Sequence, residues 1–109
     1  MTTTREILVK ARDYIERGWS QGHYARTAAG RQTDEDDALA ASWCPLGAIM
    51  MAAPDSVRLR DDAGDALCVA IGAEGKSGST IPEWNDAAER TQADVLAAFD
   101  RAIANCEVP

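Results

Sequence analysis

The chain has 109 residues, a formal charge of −7, a pI near 4.5 and an apolar fraction of 46%. Such a length and composition fit one globular domain with a modest core and exclude disorder of the whole chain. The acidic balance argues against nucleic acid and anionic membrane surfaces, which need a basic face, and leaves open a protein partner, self-association or a small ligand.

The first predicted element is a helix over about 4–17. Ile7, Leu8, Ala11, Tyr14 and Ile15 recur at helical spacing. Thr3 with Glu6 three residues on is a capping-box pattern, and Gly18 fits the left-handed position just past a helix end. The stretch from Trp19 to Gln32 has no sustained period and reads as a long loop. A second helix is expected over 34–52. Thr33 would cap it, and Asp34 to Asp37 would crowd the positive end of its dipole. Leu39, Trp43, Leu46 and Met50 form its stripe. Pro45 must kink this helix or break it, and the reading leans to the kink.

Val57 to Arg60 alternate but are too few for a sheet, so they read as a loop. Asp62 can cap a short helix over 62–71, ended by Gly72. Glu74 to Ser79 read as a flexible loop. Pro82 biases Ile81 to an extended conformation, and Asn85 and Asp86 are turn formers. The last helix covers about 91–105, capped by Thr91, with Val95, Leu96, Phe99, Ala102, Ile103 and Cys106 on its apolar face. Four one-sided helices can be buried only against one another, so the expected fold is all-α, a small single-domain bundle with long loops.

The longest apolar run, Cys44 to Pro54, falls short of the ~20 residues a membrane helix needs. The first residues are charged at Arg5, Glu6 and Lys10. A cytoplasmic location is therefore expected, with Cys44, Cys68 and Cys106 as free thiols.

Gly18-Trp19, Trp43-Cys44-Pro45-Leu46-Gly47-Ala48, Ile81-Pro82-Glu83-Trp84-Asn85-Asp86, Arg90-Thr91 and Val95-Leu96 occur in that order. Together they resemble a Trp-Cys-x-x-Gly-Ala and an Ile-Pro-x-Trp-Asn-Asp signature. These mark small actinobacterial and phage proteins grouped as a domain of unknown function. The resemblance runs from about Ile7 to Ala104, with Pro45 departing from the apolar residue expected at its position. It implies a small helical domain and a phage setting, and it carries no activity, cofactor or catalytic residue to transfer.

The residues themselves leave two functional readings. The first is an interaction or regulatory protein, not an enzyme. Trp19, His23, Arg26, Trp84, Asn85, Asp86 and Arg90 would cluster at one end of the bundle as an aromatic anchor ringed by ionic groups. The second is a small-molecule binder or weak thiol-dependent hydrolase built on His23, Cys44 and Asp86, which requires one cavity joining the three. No zinc site is expected, because no two cysteines have the short spacing that structural zinc favours. No cofactor is expected either.

Overall fold

In the computed structural model, which describes residues 2–72 and 80–106, the chain is mixed α and β and not all-α. Helix α1 (Thr4–Arg17) leads into three short strands, β1 (Ala25–Thr27), β2 (Gln32–Thr33) and β3 (Ala40–Trp43). Four helices follow: α2 (Pro45–Ala52), α3 (Val57–Ala70), α4 (Thr80–Asn85) and α5 (Gln92–Asn105). The strands form an antiparallel sheet in the order β2-β1-β3, with Ala25 opposite Thr33 and Trp43. Among the described residues no helix is long and apolar enough to cross a membrane. All three cysteines carry free thiols.

The terminal helices follow their sequence signals. Thr3 Oγ1 accepts from the Glu6 amide at 3.2 Å, and Ile7, Leu8, Ala11 and Ile15 are buried. Thr91 and Asp94 complete a reciprocal capping box on α5, which buries Val95, Ala98, Phe99 and Ala102. α1 packs on α2, α3 and α5 around these side chains. The sheet joins the same core through Ala25 and Trp43, whose ring meets Tyr14 edge-on at 5.0 Å.

The middle of the chain departs from expectation. The helix predicted over 34–52 exists only from Pro45 onward, so the proline breaks it and does not kink it. Asp37 accepts from the Leu39 amide at 2.8 Å and from the Thr33 hydroxyl, fixing a turn where a helix start was expected. Thr33 is thus a strand residue and not a helix cap. Ala40 to Trp43 pair with β1, and Leu39, placed in the core stripe, is 72% exposed. Cys44 caps α2, with its sulfur accepting from the Gly47 amide at 3.3 Å, and Pro45 takes the first helical position, where its missing N–H costs nothing.

Four further readings change. The long loop over 19–32 holds β1 and the start of β2. Its Gly30 turns the hairpin at φ 84°, donating to the Thr27 carbonyl at 2.9 Å. The helix predicted over 62–71 begins five residues earlier, capped by Ser56 and not by Asp62; the Leu59 amide donates to Ser56 Oγ at 3.2 Å. Residues 80–85 are a short helix, because Pro82 sits in a first turn that needs no N–H from it. Gly18 is extended, not left-handed; an added Cβ there would lie 2.2 Å from the Ala41 carbonyl oxygen, so a close strand crossing requires the glycine. The loop expected over 74–79 lies outside the described residues.

Gly64 is the opposite case. It lies mid-helix in α3, and an added Cβ would meet nothing within 4 Å. Gly64→Ala is expected to stabilise the chain by about 0.5–1 kcal/mol, read as a higher urea midpoint at unchanged slope.

Candidate functional site

The site is built where three element ends meet: the segment after α1, the start of α2 and the end of α4. Asn85, the last residue of α4, is fully buried. A buried amide must find partners for both its oxygen and its nitrogen. Asn85 Oδ1 accepts from the Trp19 indole nitrogen at 2.7 Å, and its Nδ2 donates to the Ser20 carbonyl at 3.1 Å. Gln21 closes the lacing from the other side, donating from Nε2 to the Asn85 and Ala87 carbonyls at 2.7 and 3.0 Å. The Gly22 amide donates to Asp86 Oδ1 at 2.9 Å. Residues 19–22 are thus tied to 85–87 across more than sixty positions of sequence.

That clamp sets His23 and Tyr24 above the start of α2. The Cys44 amide donates to the Tyr24 carbonyl at 3.1 Å, and Gly47 lies so close that an added Cβ would stand 2.1 Å from the same oxygen. A cleft of about 310 Å³ opens between these pieces. Tyr24, Leu46 and Pro82 form its apolar walls, and His23, Cys44 and Asp86 contribute its polar and sulfur atoms.

The residues singled out from sequence fall in three places. Trp19, His23, Asn85 and Asp86 come together at the clamp and cleft. Arg26 braces the neighbouring hairpin, donating to the Gln21 and Gly30 carbonyls, each at 3.0 Å. Trp84 and Arg90 form their own pair beside α5. The Arg90 guanidinium lies 4.1 Å from the ring centroid, and its Nε donates to the Trp84 carbonyl at 2.9 Å. Trp19 and Trp84 are both half-buried. Gln21, Tyr24, Leu46 and Pro82 were not singled out. A glutamine that bonds two distant carbonyls leaves no local signal, and Leu46 read only as part of a core stripe.

His23, Cys44 and Asp86 do line one cleft, as the alternative reading required. They do not form a catalytic relay. His23 makes no hydrogen bond with Cys44 or Asp86 among the described residues, and its ring instead lies 5.8 Å from the Tyr24 ring. Burial pushes the Cys44 thiol up from its ordinary range, and the nearby Asp86 charge adds to this. The amides of Gly47 and Leu46 oppose the shift without cancelling it. A protonated thiol is a poor nucleophile. Half-buried Cys106 is therefore expected to react with iodoacetamide at neutral pH well before Cys44, in the folded chain, as read by mass spectrometry of the labelled peptides. No three histidine, cysteine or acidic residues among the described ones are placed to hold a metal ion.

The chain belongs to a family of unknown function, DUF6197, whose family model matches residues 1–105. Neither the curated proteins nor the solved structures compared with it gave a match. The family description carries no activity, and the actinobacterial and phage setting rests on the signature resemblance alone.

Proposed function

We propose that this DUF6197 member works by binding, and that the cleft between residues 22–24, the start of α2 and α4 takes a small ligand with an apolar body and a hydrogen-bond-donating, cationic end. The carrying observation is the pairing of an apolar wall with one exposed carboxylate. Leu46, Pro82 and Tyr24 face Asp86, whose Oδ1 is held by the Gly22 amide while its second oxygen takes no hydrogen bond from the described residues. Small-ligand sites have this make-up, mostly apolar with a few placed polar groups. A volume of about 310 Å³ suits one ring with a short chain. The fixed carboxylate on a chain of charge −7 favours an amine over an acid.

Phenethylamine and phenylacetate, which share a ring and differ in charge, test this by amide NMR titration. The amine is expected to give saturable shifts at Gly22, His23, Tyr24 and Asp86, with the acid bound at least about tenfold more weakly. Asp86→Asn keeps an acceptor for the Gly22 amide but removes the charge, and is expected to erase that preference. Equal binding of the two probes, or shifts scattered away from the cleft, would defeat the reading.

The interaction reading draws support from elsewhere. Tyr24 and Val57 are large apolar side chains left 43% and 69% exposed, on the rim of a second depression.

A further inference from the structure

We propose that the groove between α2 and α3 docks a basic amphipathic helix of a partner protein. This depression, of about 580 Å³, has an apolar floor built from Leu46, Ile49 and Met50 of α2 with Ile81 of α4. Its far rim is α3, where Val57, Asp61 and Asp65 follow one another at single-turn spacing and so share a face. Val57 is 69% exposed, an apolar side chain standing at the edge of an apolar floor.

The charge on the rim gives the groove its sign. Asp61 and Asp65 form no ion pair with the described residues; on this helix the described pair is Arg58 with Asp62, at 3.9 Å. Among the described residues one cation lines the groove, Arg60, and its guanidinium is held at the α2–α3 turn by the Ala53 and Pro54 carbonyls, each accepting at 2.7 Å, so that the two carboxylates outnumber it. The rim therefore presents two carboxylates on a strongly acidic chain, complementary to lysine or arginine one helical turn apart.

Gly64 supplies a separate observation. It lies one turn after Asp61 and next to Asp65 in sequence and lines the groove with them, and the fold leaves open space where its side chain would be. The protein's own packing does not call for a glycine there, and α3 would be a better helix without it. A low saddle on the acidic rim lets the backbone of an incoming helix approach closely. Apolar floor, acidic rim and saddle together match the helix-in-groove mode, in which apolar anchors at helical spacing enter the groove and flanking cations meet its edge. The groove shares Tyr24 and Leu46 with the cleft but uses the other side of that ridge, so the proposal stands independently of the ligand reading.

The test uses the full chain and a short fluorescein-labelled peptide of leucine and lysine arranged as an amphipathic helix, followed by anisotropy. Saturable binding is expected, weakened about tenfold or more by Asp61→Lys/Asp65→Lys and by Gly64→Leu, which fills the saddle with a good helix former. Asp36→Lys/Glu89→Lys reaches the same net charge at exposed positions away from the groove, and is expected to retain the affinity. Asp86→Asn in the cleft is expected to retain it too. Circular dichroism establishes that each variant is folded. The proposal is overturned if the distant charge reversal weakens binding as much as the rim reversal, if a scrambled peptide of the same composition binds equally, or if folded Gly64→Leu binds unchanged. It is also overturned if sedimentation shows the groove closed by a second copy of the chain that Gly64→Leu releases.

Discussion

Gly47→Ala is expected to cost about 3 kcal/mol, a large fraction of the stability of a domain this size. The reason is space, not backbone angle. An added Cβ would lie 2.1 Å from the Tyr24 carbonyl oxygen and 3.0 Å from its carbon. Both are backbone atoms, so no side-chain rotation relieves the clash. Nor can the segment easily retreat, because the same oxygen accepts from the Cys44 amide at 3.1 Å and the chain then enters β1. Overpacking commonly costs ~1–3 kcal/mol, and a rigid backbone neighbour puts this site at the top of that range. Helix propensity acts the other way, favouring alanine by about 0.5–1 kcal/mol. The contrast with Gly64→Ala is therefore informative: one substitution, two helices, opposite signs. Urea melts of the two variants beside the parent measure it, and a Gly47→Ala midpoint at or above the parent's would refute the packing argument. The cleft should suffer with the fold, since Tyr24 and Cys44 line it from either side of this contact.

Legibility in the sequence follows where local chemistry decides the structure. α1 and α5 could be read because a stripe of apolar residues and a capping hydroxyl agree on the same boundaries. The sheet could not. Its strands run two to four residues, too short to show alternation, and Ala38 to Ala41 are among the best helix formers in the chain. Pairing with β1 overrides that propensity at Ala40 and Ala41. Asp34 to Asp37 suited a helix start equally well on charge, but Asp37 spends its carboxylate on a turn. Pro45 allowed a kink or a first position, and the deciding feature was a cysteine cap, which is not a preferred capping residue. In α3, Ser56 and Asp62 are both good caps, and the brief alternation of Val57 to Arg60 hid the true start.

The site was partly visible for a related reason. Trp19, Asn85 and Asp86 drew notice as polar or aromatic residues in loops, and the fold brings them together. Their partner Gln21 and the cleft wall Leu46 acquire their roles only when distant segments meet. Arg26, Trp84 and Arg90 shared the composition of a cluster, but the two arginines spend donors on nearby carbonyls, Trp84's own among them. An arginine whose guanidinium is committed to backbone braces a loop and has little left for a ligand. The cleft therefore owes its shape to one buried amide and one close helix contact more than to the charged residues around it.

That dependence makes Asn85 the second decisive position. Asn85→Ala is expected to cost about 2–3 kcal/mol, because it removes the partners of the part-buried Trp19 indole N–H and of the Ser20 carbonyl. The neighbourhood already carries one buried hydroxyl, that of Ser20, without a partner among the described residues, so little slack is left to absorb two more. Asn85→Asp separates the two bonds. It preserves an acceptor for the indole but loses the donor to Ser20 and buries a carboxyl group. Burial would raise that carboxyl's pKa in the folded state above its unfolded value. The variant should then be most stable at low pH and lose stability as the pH rises from the unfolded pKa through the folded one. Trp19→Phe removes the donor instead, and the double variant with Asn85→Ala should cost less than the two singles combined. Additive losses would mean that the indole–amide bond contributes nothing specific. Hydrogen exchange at Gly22 reads the consequence for the site: with the clamp intact its amide is held by Asp86, and both single variants should speed its exchange while that of Phe99 in α5 follows only the global stability.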